Sequence, residues 1–522
     1  MSKIKKNIIN IFSVIFSTLF LIIFLNTIFN NNTINIYYKI PIMIIGLVVS
    51  YIVIFFIYNK IIKIDKDIKL NIYLKLFILF IIIGIFIIQL LLARLAYTPI
   101  GWDCGQVVED AFRLNQGLDI DAWYFSRYTN NMGILIIFKV LYSIVGIFYD
   151  IKNLQACFTI DIIFNIIMLD LSAILTFLTC KKILGKKGWL SLLFIFPLII
   201  FTPYIIIPYT DTISMLFPIL IYYIYLLIKE KDKRSYILIF VEGIITAIGL
   251  IIKPTCVIMV IALIMVQSFY AKLNKENTIK LFKFVLLFIV GFGLIYQIFN
   301  VQKKKYIATE DYNNNSIPLT HFIMMGMQKN IIKNETVGKG NILYGAFNDA
   351  DAQNTSSKIG KEEKIKYNLS IINKRLKDFK FSGYIKFLYN KLIWISSDGT
   401  FFYGCEGTFF KDEPYDTTQI GKEIQKFYNI NTKEYRNIVA NIMQIAWLLI
   451  QFSLIYAISK NEEIDILKLS IIGIILFVLL FEGRSRYLIN YIPVFIVTGT
   501  YGLEESFELI RKIKNRMKKE KN

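Results

Sequence analysis

Thirteen apolar stretches, each close to the length that crosses a bilayer, constrain the fold of this chain more than any other feature. The hydrocarbon core of a bilayer is about 30 Å thick, so a spanning helix needs about 20 mostly apolar residues. The stretches lie near 8–29, 38–58, 73–95, 131–148, 157–180, 189–206, 212–229, 236–252, 254–271, 281–300, 438–458, 466–482 and 486–504. They predict an all-α polytopic membrane protein, a bundle of about 12 to 13 transmembrane helices with outer juxtamembrane helices and a small outer helical segment.

The basic residues favour one orientation of these helices. A net charge of +21 would indicate nucleic-acid binding in a soluble protein. Here the lysines lie in short loops between apolar stretches, where they mark the cytoplasmic side, so nucleic acid is not an expected partner. The clusters are Lys60, Lys63, Lys66 and Lys69; Lys181, Lys182, Lys186 and Lys187; Lys229, Lys231, Lys233 and Arg234; and the basic tail from Arg511 to Lys521.

If these lysine clusters lie on the cytoplasmic side, the segments that place polar or charged residues next to apolar helices all fall on the outer side. These segments are 96–130, the turn at 209–212, the corner at 253–254, the long stretch 301–437 and the turn at 482–486. The protein is therefore predicted to be a multi-pass cell-membrane protein with its active site on the extracytoplasmic face.

The same orientation requires an even number of crossings, so one stretch between 131 and 180 should be short, re-entrant or strongly tilted. Polar residues make 157–180 the expected irregular helix, because Asp161, Asn165 and Asp170 recur at spacings that share a face. The alternative is that these three side chains form hydrogen bonds between helices of the bundle.

Four regions follow from the order of the stretches. Residues 1–72 form an N-terminal helical hairpin added to the core, and 73–300 form the transmembrane core with 96–130 as its first outer loop. Residues 301–437 form an extracytoplasmic segment with helices at 364–395, and 438–522 form C-terminal transmembrane helices with a basic cytoplasmic tail. No small-residue cleavage site follows the first stretch, which is expected to be a retained helix.

Known nucleotide and zinc motifs are absent from the sequence. There is no Walker loop, no GxGxxG after a strand and no HExxH, and the chain has a single histidine. That residue, His321 in PLTHFIMMGMQ, is interpreted either as an interfacial packing residue or as a hydrogen-bond donor to a phosphate or sugar.

The stretch GWDCGQVVEDAFRL, residues 101–114, places acidic residues just beyond a membrane helix. Its apolar residues recur at helical spacing, which predicts an amphipathic helix on the membrane surface. Asp103, Glu109 and Asp110 should lie near one edge of that helix. They form either a solvated acidic edge with a helix cap or part of a catalytic site.

Cations on the same predicted side favour the catalytic interpretation. The cations are Lys253 in GLIIKPTC and Arg484 and Arg486 in FEGRSRYLINYIP, and Asp211 in IPYTDTISM is a further candidate catalytic acid on that side. Guanidinium and ammonium groups stabilise a departing phosphate, and a carboxylate accepts the proton of an attacking hydroxyl. The alternative is ordinary contact with lipid headgroups, and membrane lipids are expected partners in either case.

Several motifs resemble those of the GT-C glycosyltransferases, nearest the protein O-mannosyltransferase and aminoarabinose-transferase branch. They are Asp103 in the first outer loop, the following A-F-R, YFSRYTNNMGILIIFKVLY from Tyr124, G-x-x-x-K-P at Gly249–Pro254, THFIMMGM, and G-R-S-R-Y-L-x-x-Y-x-P at Gly483–Pro493. The similarity covers about residues 73 to 500.

The resemblance implies roles for individual residues. Asp103 matches the family's loop base, Arg484 and Arg486 a clamp on the donor phosphate, and Lys253 a supporting cation. Arg113 of the A-F-R and His321 join the expected phosphate-binding set. Cys104 follows Asp103 where the mannosyltransferase branch has glutamate, which leaves Glu109 or Asp110 as possible substitutes for that acid.

The resemblance implies transfer of a sugar, with inversion, from a polyprenyl-phosphate donor to an extracytoplasmic acceptor such as a cell-envelope glycan, a teichoic-type polymer, a lipid or a protein. The alternatives are a transporter or flippase of lipid-linked or polymeric sugars, which would use Asp161 and Asp170, and a non-catalytic scaffold. No cofactor is expected, although Asp103, Asp110 and Asp211 would suit a divalent cation if they converged.

Two minor features complete the set of expectations. The DGTFF turn at 398–402 is expected to border the acceptor groove, with Trp394 and Tyr403 either stacking on sugars or anchoring at the headgroup level. Cys104 and Cys405 both fall in outer segments, where they either pair or stay free.

Overall fold

A computed structural model describes residues 3–30, 40–63, 72–230, 235–271, 275–332, 341–403, 414–428 and 433–520. Within this part of the chain the fold is all-α apart from one short antiparallel hairpin, in which Lys329 pairs with Tyr344 and Ile332 with Asn341. This confirms the predicted class, a polytopic helical membrane protein.

The helices of the first half are α1 Lys3–Phe29, α2 Ile40–Lys63, α3 Ile72–Ala96, α4 Trp102–Asn115, α5 Ala122–Arg127, α6 Met132–Val145, α7 Leu154–Leu184, α8 Leu192–Ile195, α9 Thr210–Ile213, α10 Leu216–Glu230, α11 Ser235–Ile252, α12 Val257–Tyr270 and α13 Lys275–Tyr306. The second half contains α14 Thr309–Asn315, α15 Leu319–Gly326, β1 Lys329–Ile332, β2 Asn341–Tyr344, α16 Asp349–Ser356, α17 Lys361–Ser396, α18 Gln419–Tyr428, α19 Lys433–Ile455, α20 Glu462–Leu480 and α21 Ile492–Lys519.

Eight helical segments in the described residues are long and apolar enough to cross a membrane. They cover nine of the thirteen apolar stretches, because Leu154–Ile206 contains two of them. The other four stretches correspond to α6 and α12, which are shorter, and to α20 and α21, which carry charged residues. The twelve to thirteen spanning helices predicted from the sequence thus exceed the eight that length and composition support.

The expected short stretch between 131 and 180 is α6, not 157–180. Helix α6 has 14 residues, which is about 21 Å at 1.5 Å per residue and too short for the hydrocarbon core. It packs along the amphipathic α4. Residues 157–180 lie in the regular, 31-residue α7, so the prediction that this stretch is the irregular one is wrong.

The polar residues of α7 bond to its neighbours. Asp161 accepts a hydrogen bond from Tyr142, and Asp170 accepts one from Gln89 at 3.0 Å. Asn165 donates to the carbonyls of Tyr204 and Ile205, both at 3.0 Å. Those carbonyls belong to an irregular stretch of π- and 3-10 helix at 196–206, where backbone groups need partners from outside the segment.

Basic loops predicted to be cytoplasmic lie together at one end of the bundle. Lys186 donates to the carbonyl of Ile62 at 2.8 Å, which joins the end of α2 to the end of α7. Lys182 and Glu230 form an ion pair at 2.5 Å, and α10 is joined to the start of α20 by a further ion pair. The other ends of α3, α11 and α20 frame the site described next.

The segment between α13 and α19 forms a small helical unit with the β1–β2 hairpin. Its main element is the 36-residue α17, which kinks at Lys380, where φ is 54°. Helices at 364–395 are therefore confirmed. Cys405 lies outside the described residues, and Cys104 is a buried free thiol.

Candidate functional site

Three short helical turns meet at one end of the bundle. They are α9, the 3-10 turn Pro254–Cys256 and the 3-10 helix Ser485–Tyr491. Proline has no N–H and restricts the residue before it, so Pro254 ends α11 at Ile252 and leaves Lys253 extended. Asn490 donates to the Thr255 hydroxyl at 2.8 Å, which joins two of the turns.

A buried cluster of one carboxylate and two cations holds these turns together. Asp211, 3% exposed, accepts a hydrogen bond from Arg486 at 2.8 Å through Oδ2 and one from Lys253 through Oδ1. Burial lowers the pKa of Lys253, and the Asp211 carboxylate opposes that effect. One buried carboxylate therefore contacts two cationic side chains and holds the three turns together.

Aromatic rings surround the Arg486 guanidinium. Its carbon lies 4.6 Å from the centre of the Trp102 ring, 5.7 Å from Tyr209 and 5.6 Å from Tyr487. Lys253 lies 5.1 Å from the centre of the Tyr487 ring. These cation-π contacts hold both cations in place against the rings, because aromatic faces attract cations.

Asp103, the predicted base, is half-buried beside this cluster. Its Oδ1 accepts a hydrogen bond from Tyr124 at 2.6 Å, and its Oδ2 lies 3.4 Å from the Tyr209 hydroxyl. Asn131 donates to the Tyr124 oxygen at 2.7 Å and accepts from the Tyr209 hydroxyl at 2.9 Å. The side chain is therefore oriented mainly through Oδ1, and Oδ2 makes the longer contact.

The structure brings Asp103 and Arg486 together through two shared aromatic residues. Tyr209 contacts the Asp103 carboxylate with its hydroxyl and Arg486 with its ring. Trp102, adjacent to Asp103 in the chain, packs edge-on against Tyr209 at 4.8 Å. Trp102 has a φ of 44°, a conformation that costs free energy in a non-glycine residue and clusters at functional sites.

Arg484 and the DGTFF turn form a second side of the same region. Arg484 lies 5.5 Å from the centre of the Phe402 ring, and Ser485 donates to Asp398 at 3.4 Å. Asp398 also accepts from the backbone N–H groups of Thr400 and Phe402 at 2.9 and 2.7 Å. Its carboxylate is thus used to shape the turn, which lies next to the cationic corner.

Glu482 is a buried acid of this region that the sequence reasoning did not select. It accepts a hydrogen bond from Tyr487 at 3.1 Å and is 9% exposed. Burial raises the pKa of Glu482 to about 7, and the charge of Asp103 adds to the increase. The available signal was its position one residue before the quoted G-R-S-R-Y motif, between an apolar helix and two arginines.

The raised pKa of Glu482 predicts a pH-dependent stability. The folded state holds this proton more tightly than the unfolded chain, so the contribution is full below pH 4.5 and is lost as pH rises through about 7. Between pH 5 and pH 8 the wild type should lose about 2 kcal/mol of unfolding free energy from this group. Unfolding measured across this range should show the loss, and Glu482→Gln should remove it; the same slope in both proteins would contradict the assignment.

Three other residues of the predicted set lie away from the cluster or are used by the local structure. Glu109 is exposed. Asp110 is 1% exposed and accepts from Gln106 at 2.6 Å and from the Asp121 N–H at 2.9 Å, which fastens α4 to the start of α5. Arg113 donates to the Asp119 carbonyl at 2.8 Å and lies 3.7 Å from Asp110.

His321 lies in a separate polar network of the segment between α13 and α19. It is 2% exposed, and its Nδ1 is 2.8 Å from the Thr355 hydroxyl, which donates to Asn368 at 2.9 Å. Burial lowers the pKa of His321 to about 4, so the ring is neutral near pH 7. This geometry corresponds to the packing interpretation and offers no charge to a phosphate.

Two sequence hypotheses about Cys104 and metal binding also have structural outcomes. Burial raises the pKa of the Cys104 thiol, which donates to the Pro208 carbonyl at 3.6 Å. Of the two acids considered as substitutes for the family's glutamate, Glu109 is exposed and Asp110 is held by Gln106 and the Asp121 N–H. In the described part of the chain no group of three or more His, Cys, Asp or Glu side chains is arranged to hold a metal ion. Asp103, Asp110 and Asp211 have separate partners.

The fold and site define an integral, multi-pass helical membrane protein with a fixed cationic cluster and an adjacent carboxylate at one end of its bundle. The chain belongs to the family described as conserved hypothetical integral membrane protein, whose model matches residues 1–507. A comparison with curated proteins finds no match.

Proposed function

We propose that this protein is a GT-C-type glycosyltransferase that moves a sugar from a polyprenyl-phosphate donor to an acceptor outside the cytoplasmic membrane. One observation carries the proposal. Asp103 and the Asp211–Lys253–Arg486 cluster both contact Tyr209, so a base and a phosphate-binding group are adjacent.

The cationic cluster supports a phosphate leaving group. Its guanidinium and ammonium groups, both held by the Asp211 carboxylate, are donors of the kind that bind a phosphodiester. Arg486 is 6% exposed and packed among rings, and preorganised charges of this kind stabilise developing negative charge without reorganisation. Its place at the ends of apolar helices suits a ligand whose phosphate carries a long lipid chain.

The geometry of Asp103 supports the role of general base. In the proposed step, the acceptor oxygen attacks the anomeric carbon, the bond from that carbon to the phosphate oxygen breaks, and the phosphate leaves with the electron pair. The acceptor proton passes to the Asp103 carboxylate. Tyr124 fixes Oδ1 at 2.6 Å, while Oδ2 makes the longer Tyr209 contact at 3.4 Å and is positioned to accept the proton.

The cellular setting belongs to the same proposal. The basic loops of α2, α7 and α10 lie at the end opposite the site, and the positive-inside rule assigns that end to the cytoplasm. The site then faces outward in the cell membrane. The transport alternative assigned a path to Asp161 and Asp170, but both bond to neighbouring side chains of the bundle.

Donor binding tests the proposed site directly. Arg486→Met should weaken binding of polyprenyl phosphate about 10- to 100-fold, since charge-assisted hydrogen bonds contribute about 1.5 to 3 kcal/mol. Binding is measured by titration of the protein in nanodiscs, with the unphosphorylated polyprenol as the ligand control.

Arg113→Met is the matched control, since Arg113 was also predicted to bind phosphate but is 47% exposed and lies on the far part of α4. Its affinity should stay within about twofold of the wild type, as for a surface charge. Equal affinities of the wild type and Arg486→Met, or equal binding of the alcohol and the phosphate, would contradict the proposal.

A further inference from the structure

The corner that carries Arg484 and Arg486 is attached to the segment between α13 and α19 by a fully buried lysine. Lys391, on α17, is 0% exposed. Its ammonium donates to the Gly326 carbonyl at 2.8 Å and to the Phe481 carbonyl at 2.6 Å. One side chain thus joins the end of α15 to the residue just after α20.

Backbone hydrogen bonds reinforce the same junction. The Glu482 N–H donates to the Phe322 carbonyl at 2.7 Å, and the Gly483 N–H donates to the Gly345 carbonyl at 3.0 Å. All of 481–483 is therefore held by α15, by the residue after β2 and by α17. Arg484 is the next residue along the chain, so its backbone directly follows this anchored stretch.

Two glycines make this close approach possible. A Cβ at Gly326 would lie 2.5 Å from the Phe481 carbonyl carbon, and one at Gly345 would lie 2.6 Å from the Lys391 ammonium. Gly345 also has a φ of +71°, which a residue with a side chain rarely adopts. The junction therefore depends on tight packing around the lysine.

The surroundings of Lys391 explain why a buried cation is tolerated. Burial lowers its pKa to about 7, and the nearby Glu482 charge opposes that shift. A neutral amine still has two N–H donors for the two carbonyls. The side chain consequently keeps both hydrogen bonds in either protonation state.

We infer that Lys391 is a positioning residue of the donor site: it fixes 481–483 against α15 and so holds Arg484 and Arg486 where they meet the donor phosphate. The inference rests on the proposed function for its ligand. It assigns the segment between α13 and α19 a part in donor binding, in addition to any contact with an acceptor.

The test compares Lys391→Met with Lys386→Met, an exposed lysine on the same helix, in full-length protein in nanodiscs. Hydrogen exchange of the 481–487 amides is measured without ligand, and affinity is measured with polyprenyl phosphate. Lys391→Met should raise exchange in 481–487 and weaken binding, each about tenfold, because two carbonyls lose their donor. The melting temperature and exchange in α19 and α21 should stay near the wild-type values.

The outcomes separate this inference from the function it rests on. Unchanged exchange in 481–487, or increased exchange with unchanged affinity, overturns the role of Lys391. No binding of polyprenyl phosphate by the wild type overturns the proposed function, whereas the exchange result still shows whether Lys391 holds the corner. If Lys391→Met fails to accumulate, Lys391→Gln is measured in the same way. Its amide nitrogen ends one bond short of the lysine nitrogen, so it should lose at least one of the two carbonyl contacts and raise exchange in 481–487. Wild-type exchange and affinity in that variant overturn the inference.

Discussion

Replacing Asp103 with asparagine is expected to lower the rate of glycosyl transfer about 10²- to 10⁴-fold, the usual contribution of a general base. Asparagine keeps a side-chain oxygen to accept the 2.6 Å hydrogen bond from Tyr124, so the geometry of the site should persist. What is lost is the ability to take the proton of the acceptor hydroxyl. Affinity for polyprenyl phosphate should change little, and single-turnover kinetics with the reconstituted protein separate the two effects.

Glu109→Gln is the control for that variant. Glu109 lies on the same helix, α4, and is the same kind of acid, but its side chain is exposed to solvent. Removal of this carboxylate should leave the rate of transfer within about twofold of the wild-type rate, as for a surface substitution without special contacts. A large loss of rate in Glu109→Gln together with normal transfer by Asp103→Asn would mean that Asp103 is not the base.

Asp211→Asn is expected to destabilise the fold by about 3 to 5 kcal/mol, because removing one partner of a buried ion pair leaves its charge uncompensated. Here two cations, Lys253 and Arg486, lose their shared carboxylate at the same time. The three turns that meet at the site should separate. Equilibrium unfolding in detergent micelles measures the free energy, and loss of polyprenyl phosphate binding should accompany it.

An ion pair at the opposite end of the bundle provides the comparison. Glu230 pairs with Lys182 at 2.5 Å, but the glutamate side chain is 53% exposed. Exposed pairs contribute about 0 to 1 kcal/mol, so Glu230→Gln should have a small effect. Equal losses in Glu230→Gln and Asp211→Asn would mean that Asp211 is not a structural anchor.

Much of the fold was accessible from the sequence because membrane helices are long and apolar. In the described residues each of the thirteen apolar stretches is mainly helical, and the parity of the basic loops required a short stretch where α6 occurs. The identity of that stretch was not accessible, because the polar residues of α7 were read as a sign of irregularity. They instead bond to neighbouring helices, including the irregular 196–206, and such pairings depend on tertiary contacts that the sequence does not contain.

The charged residues of the site were easier to predict than the neutral ones. Asp103, Asp211, Lys253 and Arg486 stand out because a charge is rare beside apolar helices, and the structure brings them together. Four neutral residues position these charges: Tyr124, Tyr209, Asn131 and Trp102. Nothing in the sequence distinguishes them, because the chain has 32 tyrosines and many other polar or aromatic residues. Asp110 was grouped with Asp103 by helical spacing, whereas its actual role is to hold the start of α5.

The cationic corner also depends on residues far away in sequence. Lys391 is one of many lysines between α13 and α19, and its burial follows only from the way α15, α17 and α20 pack. A count of charges in that segment treats it as a solvated surface residue. Its contact with the Phe481 carbonyl spans 90 positions of the chain, beyond the reach of local pattern analysis.

The most direct test of the proposed function follows the fate of the donor. Proteoliposomes containing the protein and a set of polyprenyl-phosphate sugars, radiolabelled in the sugar, are sampled over time for free polyprenyl phosphate and for label on an acceptor. The wild type is predicted to cleave one donor and transfer its sugar, while Asp103→Asn binds that donor without cleaving it. Movement of an intact donor across the bilayer without cleavage, or equal cleavage by both proteins, would contradict a transferase with Asp103 as its base.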